Sequence, residues 1–440
     1  MMMMDIYQLN FAGLLGLCAV LSLAGRKPAQ SAGQRKQCKE SSKVSQSPFL
    51  VVYSLVMGAD WLQGPFLFSL YRDEHGVSSS LVSALFTAGF LSGAASGYFV
   101  GSVADRHGRK AACLFFCLAY SASCLLTMIP NVPLLFLGRA LGGLSTSLLF
   151  SVFEGWMVTD FHNQALGEKG GDISRTFGLM STLNSIMGIL SGVLSEWLVS
   201  VTGTRKSPFA ASIALLGLAF WVIWSQWDEN YGDAAVKEKR PEKQPAEPRR
   251  LWSILTDSQV ISLGLACTTF EGSMYLFVFF WTPALKSVHA SSGGLPYGII
   301  FASFMASILA SSLAFNMAME RRLLKYSSLL LVIFGVAGLC FFLAARPGSE
   351  QSTFWIFCLF EAAVGLYWPC MGYLKGKLVD DGIRAQVYSI LRIPLNVFVV
   401  MSLIFTGDGD SFGSVFSTCS TLLLASCGML AIGFLNKEAP

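Results

Sequence analysis

Seven ionisable side chains stand inside apolar runs of this sequence: Asp60, Arg139, Glu154, Glu196, Glu271, Glu361 and Arg392. A charge at the centre of a membrane-crossing helix costs about 2.5–3.5 kcal/mol on insertion scales, so each needs a cavity or a partner. Asp60 poses the question most sharply. It sits in "GADWLQGP" (58–65), near the middle of the apolar run "PFLVVYSLVMGADWLQGPFLFSLY" (48–71). Trp61 adds an indole N–H and Gln63 an amide. Gly64 and Pro65 add a helix break, and the ends of broken helices bind ions. Two chemistries stay open for Asp60. It is a titratable or cation-binding group on a transport path, or it is half of a buried ion pair, with Arg139 or Arg392, that fixes helix packing. Burial and an arginine partner would act on its protonation in opposite senses. In "FEGSMYLFVFFWTPAL" (270–285), Glu271 and Tyr275 share a helix face by their spacing of four. The aromatic excess of that run reads as packing, with Glu271 the exception.

The elements that hold these groups follow from composition. The chain has 440 residues, of which 53% are hydrophobic and 13% charged. Soluble domains carry roughly 25% charged residues, and the mean hydropathy here is +0.56. Apolar runs of about 20 residues, enough to cross the hydrocarbon core as helices, recur along the chain. An all-α, polytopic membrane protein is expected. The 11 cysteines fall almost entirely inside these runs, Cys113, Cys117 and Cys124 within one of them. That placement suits soft packing residues better than a disulfide framework. There is no CxxC pair and no histidine cluster, so no metal site is expected. There is also no HExxH, no GxSxG and no glycine-rich phosphate loop ahead of a Lys-Ser/Thr pair. No enzyme activity, cofactor or nucleic-acid partner is expected, and any work must draw on gradients rather than ATP.

The apolar segments fall at about 6–24, 49–71, 81–103, 111–130, 132–156, 173–200, 208–227, 258–283, 296–318, 327–345, 353–374, 384–406 and 411–435. The first stands apart, and the charged, Pro-rich stretch 228–257 splits the other twelve into six and six. The expected organisation is an N-terminal helix with a basic loop (1–48), a six-helix bundle (49–227), a flexible linker (228–257) and a second six-helix bundle (258–440). Of the 31 Lys and Arg residues, 24 fall in one alternate set of loops and 5 in the other. The positive-inside rule makes the first set cytoplasmic, including 25–48 and 228–257. The first segment has two readings. Ser22-Leu23-Ala24 resembles a secretory cleavage site. However, its leading residues carry Asp5 and no positive charge, and cleavage would leave six basic residues outside. A retained extra helix is expected.

The loop "GSVADRHGRK" (101–110) matches the Gly-x-x-x-Asp-Arg-x-Gly-Arg-Lys signature of the major facilitator superfamily, and the chain resembles that superfamily. Glycine serves where a tight two-helix turn must bend or be approached closely. Asp105 can accept from Arg106, Arg109 or a helix N-terminus. Gly101, Asp105, Arg106, Gly108, Arg109 and Lys110 are thus the candidate conformational gate; an ordinary basic turn is the alternative. The matching loop of the second half, "FNMAMERRLLK" (315–325), keeps the basic residues without the pattern. Arg139 stands four residues before Gly143, and Glu361 four before Gly365. The two halves therefore set a basic and an acidic residue at equivalent depth. The resemblance implies two bundles related as parallel repeats. It also implies that Asp60, Arg139, Glu154, Glu271 and Glu361 lie on cavity-lining helices.

Further strings narrow the family. "GADWLQGP", "GRALGGLSTSLLFSVFEGW", "LFVFFWTPAL", "IIFASFMASILASSL", "LRIPLN" and "WDENYGD" (227–233) resemble the molybdate-anion transporter family, closest in appearance to its plant and green-algal members. The resemblance spans about 49–400. It implies uptake of molybdate across the plasma membrane by a secondary transporter, expected to be a monomer in the lipid bilayer. A tetrahedral dianion wants guanidinium forks, hydroxyls and indole N–H groups. Arg139, Arg392, Trp61, Ser145, Thr146 and Asn396 are the candidate suppliers. Carboxylates would repel the anion unless protonated or paired, which makes Asp60, Glu271 and Glu361 candidates to carry a co-transported proton. Sulfate has nearly the same shape and charge. Transport of another anion or of an organic solute, or a non-transporting receptor or scaffold, are the alternatives; the intact 101–110 signature speaks against the last.

Overall fold

A computed structural model of the chain describes residues 6–25, 34–163, 173–231, 258–289, 294–320, 325–346, 348–378, 384–405 and 412–438. These residues form thirteen long helices: α1 (Ile6–Ala24), α2 (Gln34–Gln63), α3 (Ser79–His107), α4 (Arg109–Thr127), α5 (Val132–Asn163), α6 (Ile173–Thr202), α7 (Ser207–Gln226), α8 (Ser258–Val288), α9 (Tyr297–Glu320), α10 (Tyr326–Ala344), α11 (Glu350–Leu378), α12 (Arg384–Phe405) and α13 (Phe412–Glu438). Among the described residues, 12 helices are long and apolar enough to cross a membrane, and α12 adds the shorter apolar stretch Pro394–Ile404. Helix is the only element that satisfies every backbone group within one apolar segment, and this composition leaves few alternatives. The basic stretch before Pro48 is not all loop. It enters α2 at Gln34, so the basic residues at 35, 36, 39 and 43 extend that helix.

The chain divides into two compact units, Met1–Gly25 with Val77–Thr87 and Lys243–Pro440, and Arg26–Gly76 with Ala88–Glu242. Within the unit that holds α2, this helix packs on α6 and α7, and α4 packs on α5 and α7. Within the other, α8 packs on α12 and α13, and α10 on α11 and α13. Six helices on, each contact recurs between the corresponding elements, so the two halves repeat one packing scheme.

The closest crossings repeat as well. A Cβ built on Gly143 of α5 would fall on the backbone of Gly89 in α3. A Cβ on Gly365 of α11 would meet the Ile308 backbone and the Ser311 hydroxyl of α9. Helices associate in lipid by bringing backbones close at small residues, and serines bond across. Ser92 donates to the Ala140 carbonyl at 2.5 Å, Ser147 to Gly93 at 2.7 Å and Ser312 to Gly365 at 3.2 Å. The equivalence of Gly143 and Gly365 read from sequence is thus a packing equivalence.

Helix α1 breaks the repeat. It packs on α9 and buries Tyr7, Leu14 and Cys18. Its Tyr7 hydroxyl donates to Glu350 at 2.5 Å, and the Asn10 amide to Gln351 at 2.8 Å.

Candidate functional site

Asp60 lies where α2 is about to lose its regular hydrogen bonding. The helix ends at Gln63, passes through a 3-10 turn at Gly64–Phe66 and a single turn at Leu67–Ser69, and closes in a π-helical turn at Leu70–Glu74. Pro65 lacks the N–H that the helix would need, so the break follows from the sequence. Around it the Ala59 carbonyl accepts from Gln63 at 3.0 Å and from Ser212 at 2.8 Å, while the Gly58 carbonyl accepts from Ser191 at 3.2 Å. The Asp60 carboxylate accepts from the Tyr120 hydroxyl of α4 at 2.5 Å. That is a short O–H···O contact. Tyr120 carried no signal in the sequence beyond its place in a cysteine-rich apolar run.

Arg139 of α5 is partly buried, with its guanidinium against Gly89, where any Cβ would collide with it. Glycine at 89 is therefore what lets this cation occupy the helix crossing. The guanidinium lies within electrostatic reach of the Tyr120 and Tyr71 hydroxyls, so one tyrosine faces both Asp60 and Arg139. Trp61, Ser145 and Thr146 are engaged in this structure. The Trp61 indole donates to the Asn184 amide oxygen at 2.8 Å. Ser145 and Thr146 turn their hydroxyls back to Leu141 and Gly142 at 2.8 and 3.0 Å. Asn396 is partly buried on α12, and the side chain of Arg392 on the same helix lies outside the described residues. Glu154, expected among the cavity-lining acids, is exposed on α5.

The 101–110 turn is tightly built. Gly108 has φ 110, a left-handed region that a side chain would resist, and it precedes the first turn of α4. Arg109 donates from Nε to Asp105 at 2.8 Å and from Nη1 to the Gly155 carbonyl at 2.8 Å, and also reaches the Thr159 hydroxyl. Arg106 is exposed, Gly101 and Lys110 partly buried. Nothing lies within 4 Å of a Cβ at Gly101, so its glycine is not explained by contact here.

The start of the linker belongs to this turn. Glu229 accepts the backbone N–H of Lys110 at 2.7 Å and of Ala111 at 3.1 Å, which caps the positive end of α4. Its carboxylate would also collide with a Cβ at Gly108. The Lys110 ammonium donates to the Trp227 carbonyl at 2.6 Å. Trp227 stacks on Trp156 with centroids 3.8 Å apart, and Asn230 donates to the Trp156 carbonyl at 3.1 Å. Packed chain thus extends through Asn230, Tyr231 is exposed, and the rest of 228–257 lies outside the described residues. The "WDENYGD" string was the available signal: an acid, an amide and an indole clustered at the end of an apolar helix.

The other unit carries a second cluster. Glu271 of α8 is 4% exposed. Its Oε1 accepts from the Cys267 thiol at 2.7 Å, the Tyr367 hydroxyl at 3.0 Å and the Lys375 ammonium at 3.3 Å. The same ammonium donates to the Cys267 sulfur at 2.8 Å. Lys375 counts as a loop cation in the sequence, yet its four-carbon stem carries the charge back along α11 to the buried acid. Glu361, one turn before Gly365, is 6% exposed on α11. Among the described residues it has no hydrogen-bond or ion-pair partner.

The family model described as sugar transporters, 12 TM, matches residues 6–348. A molybdate-anion transporter of Xenopus tropicalis is 32% identical over 94% of this chain and 91% of its own length. One from Takifugu rubripes is 30% identical over 94% of this chain and 92% of its own. The chain belongs to the molybdate-anion transporter family. The crystal structure of the nucleoside transporter NupG aligns with a TM-score of 0.65 at 15% identity, covering 87% of this chain and 98% of that one. A peptide transporter of the POT type, in complex with sulfate, aligns at 0.67 and 16% identity, covering 88% and 94%. At such identities the likeness is one of fold, and the fold is that of the major facilitator superfamily. This family member is therefore a multi-pass membrane protein built on a transporter fold, and the three charged clusters above are set within it.

Proposed function

We propose that this chain is a secondary transporter that takes up molybdate across the plasma membrane by alternating access, with a proton as the coupled ion. The observation that carries the reading is the similarity to curated molybdate-anion transporters along 94% of the chain. The charged clusters support it chemically. A tetrahedral dianion needs cations and neutral donors. Arg139 and Arg392 supply guanidinium forks, Asn396 supplies an amide, and Trp61, Ser145 and Thr146 supply donors once released from their present partners. Asp60, Glu271 and Glu361 are the acids able to carry the proton, so that anion and proton binding become linked equilibria. Gly101, Asp105, Arg106, Gly108, Arg109 and Lys110 act as the gate, whose contacts re-form with each conformational change. The basic segments 25–48 and 228–257 face the cytoplasm, and the transporter works as a monomer.

The test is uptake of labelled molybdate by cells expressing the chain, with sulfate as competitor. Saturable uptake above vector controls is expected. Expressed protein at the cell surface with uptake no higher than the controls would overturn the assignment.

A further inference from the structure

Three different donors converge on one oxygen in the cluster around Glu271. An ammonium, a phenol and a thiol all point at Oε1, from Lys375 and Tyr367 on α11 and from Cys267 on α8. A buried ion pair needs one good partner, and replacing such a pair by apolar residues is often neutral or stabilising. Three donors on a single oxygen make the geometry an oxyanion seat rather than a simple bridge. Lys375 is also less buried than its partner, at 19% side-chain exposure against 6%. The lysine side chain is thus partly exposed while Glu271 remains inside.

We propose that Lys375, Tyr367 and Cys267 form an anion-binding site for a tetrahedral oxyanion, and that Glu271 is its displaceable internal occupant. The carboxylate oxygen stands in for a substrate oxygen while no anion is bound. An arriving dianion, with twice the charge, takes over the ammonium and the two neutral donors. Held on α8, Glu271 swings off Oε1 contact with α11. Exchange of one acceptor for another at a fixed set of donors keeps the buried lysine paired throughout, which avoids the cost of an uncompensated internal charge. The seat lies within one unit and uses only α8 and α11, whose packing holds all four side chains. It rests on the oxyanion reading given above, but names a cation that no candidate set drawn from the sequence includes.

Equilibrium binding of labelled molybdate to the purified full-length chain tests this, because the two members of the pair should respond with opposite sign. Lys375→Ala should raise the Kd at least ~10-fold, equivalent to about 1.4 kcal/mol. Glu271→Gln, which weakens the internal competitor, should lower it. A merely structural ion pair predicts weaker binding for both variants, and that outcome overturns the proposal. If Lys375→Ala does not reach the membrane, the charge-balanced Lys375→Met/Glu271→Gln chain serves instead. It should stay weak if Lys375 binds the anion, and wild-type affinity in it would refute the seat. Wild-type protein that binds no molybdate would sink the oxyanion reading itself. Wild-type binding with an unchanged Kd in Lys375→Ala would sink only the assignment of Lys375.

Discussion

Tyr120 holds Asp60. The phenol on α4 donates to the carboxylate on α2 at 2.5 Å, next to the point where α2 breaks at Gly64 and Pro65. Sequence suggested an arginine as the partner of this acid; the structure supplies a neutral donor, which Arg139 approaches in turn. The pairing repeats in kind across the halves, since Tyr367 donates to Glu271 at 3.0 Å. A phenol can serve a carboxylate or its protonated form without leaving a charge stranded, and that suits an acid that gains and loses a proton.

Asp60→Asn should therefore reach the membrane, because the amide oxygen still accepts from Tyr120. Uptake should fall and lose its dependence on pH. Measurement of uptake between pH 5 and 8 at matched surface expression checks this. Unchanged pH dependence would remove Asp60 from proton coupling, and loss of the protein from the membrane would make the acid structural. Tyr120→Phe should cost about 0.5–1.5 kcal/mol of stability by removing the donor to a partly buried acceptor.

Arg109 joins Asp105, Gly155 and Thr159, so Arg109→Ala should slow turnover more than it lowers expression. Glu229→Ala should act in the same direction, since it removes the acid that caps α4. The loss of such a cap is worth about 0.5–2 kcal/mol. Initial uptake rates normalised to surface protein give the answer. Normal rates in Arg109→Ala would mean the turn is only a connector.

Gly143→Val places a branched side chain on the Gly89 backbone and should abolish folded protein at the membrane. Overpacking of this kind costs about 1–3 kcal/mol even where neighbours give way, and here the neighbour is backbone. Gly101→Ala, with open space around its Cβ, should express normally. Fluorescence-detected size-exclusion profiles of tagged variants separate the two. A monodisperse Gly143→Val chain would contradict the crossing.

Much of this fold was legible in the residues. Thirteen apolar segments announce thirteen helices, because length and hydropathy leave a membrane segment little choice. Asp60, Arg139, Glu271 and Glu361 stood out for the same reason. Their partners did not. Tyr120, Cys267 and Tyr367 are common apolar-run residues, and only packing tells which of them meets an acid. Lys375 was hidden by its position at a helix end, where a lysine ordinarily belongs to the loop. Glu229 read as linker, since the composition beyond Trp227 is polar and Pro-rich, while its contacts at Lys110 and Ala111 lie 119 and 118 residues away along the chain.

Topology follows from the distribution of basic residues. A single cysteine introduced by Arg35→Cys, in a background with all 11 native cysteines replaced, should react with a membrane-impermeant maleimide only after permeabilisation. Reaction in intact cells would place the 25–48 segment outside and overturn the orientation.

Proton-coupled oxyanion uptake is tested most directly in liposomes holding the purified chain, with the lumen more alkaline than the outside. Labelled molybdate should accumulate inside above its external concentration, and a protonophore should abolish the excess. Competing sulfate should slow the entry. Equilibration to the external concentration, indifferent to the gradient and the protonophore, would contradict the coupling. No entry above protein-free liposomes would contradict the transport itself.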